Sequence, residues 1–333
     1  MCNQDCCQNR SPIAKLLAAR RLLKLEEEDK KKPKLVIPTP QSLFFNYDMV
    51  EVMAKYIIEV SHIRPKYGLI SGKFLGSMIS LVEHAVIIPH ADIPNFPVSE
   101  DANGFFVVGF VMGAPIMAMS NRCLFYEGQS LALCALPVQV MRLCGVKTIM
   151  LSCMAASVNP HYNVGDIMLI KDHINLMGMM DHTAMEGPKD PRFGRQHLRM
   201  VEAYDEELLK KSFEIGEELG IEEFLKPGIF VGIGGPLYAT LAEEKILRSL
   251  GADASGMSLI PEVIAAHQGG LRIFAFVIIT VPANGKPEKK DSDVDVGITR
   301  PKQQGLEVPW PRVKACSDLI SHLLYYMHND RSI

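Results

Sequence analysis

From Asn46 onward, short apolar segments typical of buried strands alternate with segments whose apolar residues recur at helical spacing. The predicted strands include residues 67–71, 147–154, 166–174 and 271–281, and the predicted helices include residues 47–63, 203–219 and 313–327. Alternation of this kind is typical of α/β domains in which helices cover a largely parallel sheet. Because no internal repeat is visible, we predict one α/β domain.

Three shorter stretches complete this pattern. Residues 105–120 read as a β-hairpin that turns at Gly113, and residues 72–85 are predicted to turn through glycine into a helix. Residues 231–245, "VGIGGPLYATLAEEK", read as a strand that enters a helix through a glycine-rich turn. The tip of that turn, residues 237–240, carries no carboxylate, histidine or cysteine, although turns of this type usually present a reactive or recognising side chain.

The composition excludes several classes of function. The chain has 333 residues, of which 48% are hydrophobic and 22% charged, with a formal net charge of -3. That charge gives no electrostatic reason to expect nucleic acid or a membrane surface as a partner. No apolar run reaches the roughly 18 residues that span a bilayer, and the polar first ten residues do not read as a signal peptide. We therefore expect a cytoplasmic protein.

The eight cysteines do not form a metal-binding pattern. Cys2, Cys6 and Cys7 crowd the N-terminus, and no CxxC pair is matched by a second pair, so we predict no zinc site and no other metal. Cysteines in apolar segments are expected to be free buried thiols in a reducing compartment. Lipidation of the N-terminal trio is an alternative that no further motif supports.

The first 41 residues differ from the rest of the chain. Apolar residues at helical spacing within residues 11–23 are followed by a dense charge run, and residues 31–41 read as a proline-marked linker. A basic targeting helix is an alternative that the acidic triplet Glu26–Glu28 disfavours. We predict a flexible or partly helical extension over residues 1–41 and the α/β domain over residues 42–333.

Ligands of α/β sheets gather beyond the carboxyl ends of the strands, and candidate residues follow several predicted strand ends here. Lys73 lies in a glycine-marked turn before a predicted helix, where free N–H groups favour an anion. Arg122 follows the hairpin and can clamp a phosphate, or it can form a surface ion pair. Ser258 can bind an anion or act as the N-cap of the next helix. These residue types predict an anion site, with capping and ion pairing as structural alternatives.

Several longer stretches together resemble one known family. They are "IPNFP" (93–97), "YEG" (126–128), "NPHYNVGDIMLIKDHINL" (159–176), "GPKDPRFG" (187–194), "LGADASGMSLIPEVIAA" (250–266) and "GLRIFAF" (270–276). In this order they resemble the trimeric purine nucleoside phosphorylases, from about Asn46 to the C-terminus. The resemblance implies a single-domain, twisted mixed β-sheet, partly barrel-like and flanked by helices. It also implies a homotrimer, phosphate as co-substrate with no other cofactor, and cleavage of purine nucleosides to base and ribose 1-phosphate.

The resemblance places a phosphate site on residues that this chain retains only in part. The family's loop serine is Lys73 here and the glycine after it is Phe74, while the histidine two residues after the family's arginine is Leu124. Arg122 matches that arginine, and Ser258 matches the serine that follows Gly-Met. Lys73, Arg122 and Ser258 are therefore the candidate phosphate-binding residues.

The resemblance also places a sugar and base pocket. Tyr126 and Met257 match residues that line the ribose, and Phe193 is assigned to the aromatic residue that a neighbouring subunit lends. Tyr238 keeps an aromatic ring in the base-recognition turn. A histidine expected near the sugar 5′-hydroxyl falls in a rewritten segment, where the alignment places Trp310.

The base-recognition turn lacks the groups that bind the purine edge. The family's glutamate is Ala239 here, and the asparagine expected after Thr280 is Val281. Sister enzymes use an aspartate near that strand end, but Asp291, Asp293 and Asp295 read as a polar loop. Removing a buried acceptor costs about 1–3 kcal/mol, and losing stabilisation of the leaving base costs a factor of about 10² or more in rate.

Three hypotheses follow from this mixture. The chain is a purine nucleoside phosphorylase homologue whose activity on inosine or guanosine is very weak or lost. It is alternatively a non-catalytic nucleoside-binding protein, or a partner subunit that assembles with an active paralogue. A third hypothesis is an enzyme whose ligand has changed, which the fold alone does not exclude.

Overall fold

The structure is a computed structural model that describes residues 45–72, 79–98, 104–187, 189–283 and 310–329. The extension at residues 1–41, Lys73 and the aspartates at 291–295 lie outside the described residues, so what the sequence predicts for them stays a prediction. The same holds for the domain boundary at residue 42.

Within the described residues, the chain forms nine strands and seven α-helices. The strands are β1 (Tyr67–Ile70), β2 (Glu83–Pro89), β3 (Phe105–Val111), β4 (Ala114–Ser120), β5 (Thr148–Ser157), β6 (Ile167–Asn175), β7 (Leu225–Gly232), β8 (Ala254–Gly256) and β9 (Arg272–Val281). The helices are α1 (Tyr47–Ser61), α2 (Leu131–Cys144), α3 (Leu176–Met179), α4 (Glu206–Glu218), α5 (Leu241–Ser249), α6 (Ile260–Gln268) and α7 (Trp310–Asn329). None of these helices is both long enough and apolar enough to cross a bilayer.

All nine strands belong to one sheet, in the order β2-β3-β4-β1-β5-β8-β7-β6-β9. Strand β9 also pairs with β5 in parallel, so β5, β8, β7, β6 and β9 close into a ring. The sheet is mixed, because β3 runs antiparallel to β2 and β4, β8 to β5, and β6 to β9. The mixed, partly barrel-like sheet implied by the family resemblance is therefore confirmed.

Strand β9 shows why its sequence is apolar at almost every position. Ile273, Ala275, Val277 and Ile279 belong to a core cluster that includes residues of α1, α2 and α6. Phe274, Phe276 and Ile278 face the other way, into a cluster that includes residues of α4 and α7. Because successive side chains of a strand point to opposite faces, a strand with helices on both sides must be apolar throughout.

Polar side chains cap the start of α3, where Asn175 accepts from the Gly178 N–H, and the starts of four longer helices. Asn46, Ser130, Asp205 and Thr240 precede α1, α2, α4 and α5, and each accepts a hydrogen bond from a backbone N–H of the first turn. Those N–H groups have no partner within the helix, so the capping oxygens stabilise the helix starts by about 1 kcal/mol each.

The prediction of a helix within residues 72–85 is wrong where the structure can test it. Residues 79–81 form a single 3-10 turn, and strand β2 begins at Glu83. Val86, Ile87 and Ile88 pair antiparallel with β3, after a register shift between Glu83 and Val86. The backbone pairing with β3 decides the conformation, because strand formation depends on neighbouring strands more than on local preference.

His90 is a buried histidine beside β2. It is 4% exposed, and its ring lies 4.7 Å from the Phe96 ring and 4.8 Å from the Phe106 ring. Its Nε2 has no hydrogen-bond partner in the part of the chain that the structure describes. Because burial disfavours the charged form, the pKa of His90 is lowered to about 4.

We expect the free energy of unfolding to fall by about 2 kcal/mol through His90 when the pH is lowered from 7.5 to 5. The folded pKa lies below the unfolded value, so the unfolded chain binds more protons between these two pKa values. Stability is therefore fully present above pH 6.5 and is lost as the pH falls towards 4. Urea unfolding at both pH values measures the loss. His90→Gln removes the titrating group and should flatten this part of the pH dependence, whereas an unchanged slope contradicts the assignment.

Candidate functional site

Arg122 lies two residues after β4 and is 8% exposed. Its Nε donates to Oε1 of Glu262 at 2.7 Å. Its Nη1 donates to the carbonyl oxygen of Ser152 at 2.9 Å, and its Nη2 donates to that of Ile70 at 3.3 Å. These bonds use N–H groups on all three guanidinium nitrogens, and they join the end of β1, the interior of β5 and the first turn of α6.

The ion pair of Arg122 differs from the surface pair that local sequence suggests as an alternative. Its two side chains are 6% and 2% exposed, so the charges compensate each other away from solvent. Among the described residues, Oε2 of Glu262 has no hydrogen-bond partner, which leaves one buried acceptor beside the guanidinium. A phosphate role for Arg122 stays a prediction, and any anion would share this guanidinium with a carboxylate.

Ser258 does not cap α6, contrary to the capping alternative. The N-cap position is Leu259, which has a positive φ of 78° and no side-chain cap. The Ser258 side chain instead lies near the thiol of Cys153, whose pKa burial raises to about 11. The Ser258 side chain thus lies beside β5, the strand that also binds Arg122 through the carbonyl oxygen of Ser152.

Arg122, Leu124, Met257 and Ser258 line one crevice between the end of β4, α2 and the start of α6. Its volume is about 10 Å³, which is room for about one water molecule. Two thiols also line it. Burial raises the pKa of Cys123 to about 11 and raises that of Cys134 further, so neither thiol is a ready nucleophile.

The glycine-rich turn after β7 packs against this group of residues. A Cβ added to Gly235 would lie 2.6 Å from Sδ of Met257 and 2.9 Å from Cδ1 of Tyr126. Gly235 also has a φ of 72°, which only glycine adopts without strain. The glycine is needed because the turn lies directly on the two side chains predicted to line the ribose.

Tyr126 and Tyr238 present aromatic rings at the same place. They are 41% and 47% exposed, respectively. Burial of part of the ring, and then the charges of Glu127 and Tyr238, raise the pKa of Tyr126. The phenol of Tyr126 is therefore neutral near pH 7, and the exposed rings of both tyrosines can stack on a planar group.

Ala239, the position of the family's carboxylate, contacts apolar side chains. It packs against a small cluster of Val158, Val231, Leu247 and Ala252. The next residue, Thr240, forms a capping box with Glu243: the Thr240 hydroxyl accepts from the Glu243 N–H at 3.2 Å. The Glu243 carboxylate accepts from the Thr240 N–H at 2.7 Å. The hydroxyl and the N–H of Thr240 therefore form the N-terminal cap of helix α5.

Val281 ends β9 and pairs with Ala156 at the end of β5. It is partly buried and offers only methyl groups. The adjacent Thr280 hydroxyl is 3.4 Å from the carbonyl oxygen of Ala155, which is a long contact for a hydrogen bond. This strand end therefore lacks the amide that the family resemblance leads one to expect.

Phe193 does not lie with the other candidates. It is 7% exposed and packs edge-to-face against Phe45 at 5.9 Å and against Tyr47 at 5.2 Å. It lines a different cavity, and its predicted contribution to a neighbouring subunit stays a prediction. Trp310 begins α7 and is 67% exposed.

Sequence reasoning missed Glu262 as the partner of Arg122, 140 positions apart. One signal was available. Glu262 is the single charge in the apolar segment "LIPEVIAA" (259–266), and a buried charge requires a partner. Cys153 gave no comparable signal, since a thiol in an apolar strand is usually inert.

Within the described residues, no group of three or more histidine, cysteine, aspartate or glutamate side chains is placed to hold a metal ion.

The described site can be compared with known proteins. A family model described as the phosphorylase superfamily matches residues 70–303. The purine nucleoside phosphorylase of Anopheles gambiae is 40% identical over 276 residues, which are 81% of this chain and 78% of that protein. That of Mus musculus is 40% identical over 238 residues, covering 71% of this chain and 82% of that protein. The crystal structure of isoform 2 of the purine nucleoside phosphorylase from Schistosoma mansoni, in complex with cytosine and ribose-1-phosphate, is 31% identical in sequence. Its TM-score is 0.78, and the match covers 86% of this chain and 98% of that one. The chain therefore belongs to the phosphorylase superfamily, and within it to the purine nucleoside phosphorylase family.

Proposed function

We propose that this family member binds a purine nucleoside or a related small molecule but cleaves inosine and guanosine very weakly or not at all. The family uses phosphate as co-substrate and needs no cofactor. In its reaction a phosphate oxygen bonds to C1′ of the ribose as the bond from C1′ to the base breaks. The base leaves with the electron pair and must receive a proton or a hydrogen bond.

The observation that carries this proposal is the surrounding of Ala239. A carboxylate is expected at that position to bind the purine edge, but the side chain here is a methyl group packed on an apolar cluster. Val281, at the end of β9, likewise replaces the amide expected at the leaving base. With both groups absent, the negative charge that develops on the base lacks its hydrogen bonds, and the barrier to cleavage rises.

The phosphate half of the site supports the same proposal. Leu124 stands where the family has a histidine, and it lines the crevice with Arg122. The charge of Arg122 is compensated by Glu262 at 2.7 Å. An anion at this place would therefore meet less positive charge than an unpaired arginine beside a histidine provides.

Binding of a planar ligand is supported by the aromatic rings that remain. Tyr126 and Tyr238 expose their rings, and Met257 lies against Gly235 and also lines the crevice. Stacking and apolar contact need no hydrogen-bonding edge, so a purine ring can be held without being activated.

We expect inosine at ten times its dissociation constant to raise the melting temperature by about 3 °C, because a ligand that binds only the folded state stabilises it. Inorganic phosphate alone should produce no shift. Thermal melts of the purified chain against nucleosides, free bases and phosphate measure both effects.

Two variants make this experiment specific. Tyr126→Leu should abolish the inosine shift, whereas Tyr325→Leu, a change of an exposed tyrosine on α7, should leave it unchanged. A shift with phosphate alone, or an inosine shift that survives Tyr126→Leu, contradicts the proposed site.

A partner subunit is the second candidate function. It is favoured by the retention of the framework motifs while residues from the phosphate and base subsites are replaced. As a partner subunit the chain assembles with an active paralogue in the cytoplasm, whereas a chain that acts alone forms a homotrimer. Absence of any ligand-induced shift favours this candidate, and the mass of the native assembly with its co-purified chains then distinguishes the two assemblies.

A further inference from the structure

The backbone makes a strained reversal between β8 and α6. Leu259 has a φ of 78° and a ψ of -47°, and the N–H of Ile260 donates to the carbonyl oxygen of Ser258 at 3.0 Å. A hydrogen bond from the third residue to the first, around a central residue with angles near these, defines a γ-turn of the positive-φ form. That form is rare and strained, so residues 258–260 hold the backbone away from its preferred conformations.

Leu259 differs from the other non-glycine residues that have a positive φ. Among the described residues, those others have φ values of 48–65° and none of them is buried, whereas Leu259 is 1% exposed. The Leu259 side chain belongs to the core cluster that includes residues of α1, α2 and α6. Strained backbone persists only where its surroundings fix it. The packing of the Leu259 side chain therefore holds the γ-turn in place.

The two residues between β8 and this γ-turn belong to the candidate site. Met257 and Ser258 are partly buried and line the crevice. On one side of them, β8 ends at Gly256, whose carbonyl oxygen accepts from the N–H of Ile233 at 2.9 Å. On the other side lies the buried Leu259. A two-residue segment that is anchored at both ends has little freedom to move, so both side chains are held in one arrangement.

The γ-turn also supports the glycine-rich turn after β7. A Cβ added to Gly232 would clash with the side chain of Ile260, so the end of β7 packs directly on the third residue of the γ-turn. Met257 lies against Gly235, where an added Cβ would be 2.6 Å from its Sδ. The γ-turn thus fixes both Met257 and the glycine-rich turn that lies on it.

We propose that Leu259 is a positioning residue for the nucleoside site. Its buried side chain holds the γ-turn, and the γ-turn keeps Met257 against Gly235 in the arrangement that accepts the ligand. A site that is already formed binds more tightly, because no segment has to be ordered when the ligand arrives. This positioning role rests on the proposed function, the binding of a nucleoside beside Tyr126.

Leu259→Ala and Leu259→Gly separate the strain from the packing. Both variants lose the buried side chain, so both should melt below the unaltered chain. Glycine adopts a positive φ without strain, so Leu259→Gly should melt about 2–4 °C above Leu259→Ala. Leu323→Ala and Leu323→Gly are the matched control, because Leu323 is fully buried within helix α7. There the order should be reversed, since glycine weakens a helix.

Inosine binding, measured by isothermal titration calorimetry, should follow the opposite order from stability. Leu259→Ala should weaken the affinity less than about threefold, whereas Leu259→Gly should weaken it at least about tenfold, because glycine lets residues 257–258 leave the bound arrangement. A residue with only a structural role would weaken binding most in the less stable variant. The Leu323 variants should bind inosine as the unaltered chain does.

Leu259→Met and Leu259→Val test the same geometry should a truncated variant misfold. Methionine keeps the volume of the side chain, so Leu259→Met should bind inosine within about twofold of the unaltered chain. A β-branched residue is poorly tolerated at a positive φ, so Leu259→Val should weaken binding at least about fivefold.

The outcomes distinguish the positioning role from the nucleoside site itself. A Leu259→Gly variant that melts at or below Leu259→Ala, or that binds inosine as tightly as Leu259→Ala does, overturns the positioning role and leaves the nucleoside site in place. Unaltered affinity in Leu259→Val does the same. Absence of inosine binding by the unaltered chain overturns the nucleoside site, and the positioning role with it.

Discussion

Replacement of Glu262 by glutamine should lower the free energy of unfolding by about 3–5 kcal/mol. The substitution keeps the size of the side chain but removes the charge that compensates Arg122, which is buried and bound to the carbonyl oxygens of Ser152 and Ile70. A buried cation without a counter-charge is among the most destabilising single changes a protein can carry. Urea unfolding of the purified Glu262→Gln variant measures the loss.

The double variant Arg122→Met/Glu262→Leu is the control for charge. It removes both charges and keeps most of the volume, so its stability should lie within about 1–2 kcal/mol of the unaltered chain or above it. Asp318→Asn is the control for exposure, because the Lys314–Asp318 pair is largely solvated and should contribute less than about 1 kcal/mol. A double variant as unstable as Glu262→Gln would show that lost packing, rather than an unpaired charge, causes the effect.

Rebuilding the base site alone should leave phosphorolysis of inosine within about tenfold of the unaltered chain, whereas rebuilding both subsites should raise the rate by about 10² or more. The first variant is Ala239→Glu/Val281→Asn, and the second adds Lys73→Ser, Phe74→Gly and Leu124→His. Cleavage needs a held phosphate and a stabilised leaving base at the same time, so restoring one of them has little effect. Release of hypoxanthine in the presence of phosphate measures both variants.

The rebuilt variants need a check on folding, since Ala239 contacts an apolar cluster where a glutamate is partly buried. Thermal melts provide it. A large gain in rate from Ala239→Glu/Val281→Asn alone would mean that the phosphate subsite is intact, which contradicts the role proposed for Leu124 and for the Arg122–Glu262 pair.

The sequence allows the fold to be predicted in most of its elements, because burial imposes periodicity on each of them. Strand β9 is apolar on both faces and α7 is amphipathic, so both elements could be recognised from their own sequence patterns. Strand β2 could not be read in this way. Its conformation depends on pairing with β3, and strand β8, three residues long, is too short to show a period.

The residues of the candidate site could be predicted from the sequence, but most of the contacts that these residues make could not. Arg122, Leu124, Met257 and Ser258 do line one crevice, and Tyr126 contacts the turn at Gly235. The partners of these residues come from distant parts of the chain, so local sequence pointed to capping for Ser258 and to a surface ion pair for Arg122. Phe193 shows the same limit, since only the structure reveals that Phe45 and Tyr47 cover it.

The turn within residues 231–245 carries no carboxylate, histidine or cysteine at its tip, and the packing of its residues explains what they do instead. Its glycines let the backbone lie on Met257 and Tyr126, its threonine caps α5, and its alanine packs inward. The turn keeps the form of a recognition element, and the hydrogen-bonding side chain is the part that has changed.

The most direct measurement of this account is the initial rate of phosphate-dependent hypoxanthine release from inosine by the unaltered chain. The Anopheles gambiae purine nucleoside phosphorylase, assayed alongside, is the positive control. The account predicts a rate at least about 10²-fold below that of the control, because two leaving-group contacts and a phosphate-site histidine are replaced. A turnover in the range typical of enzymes, about 1–10³ per second, would contradict it.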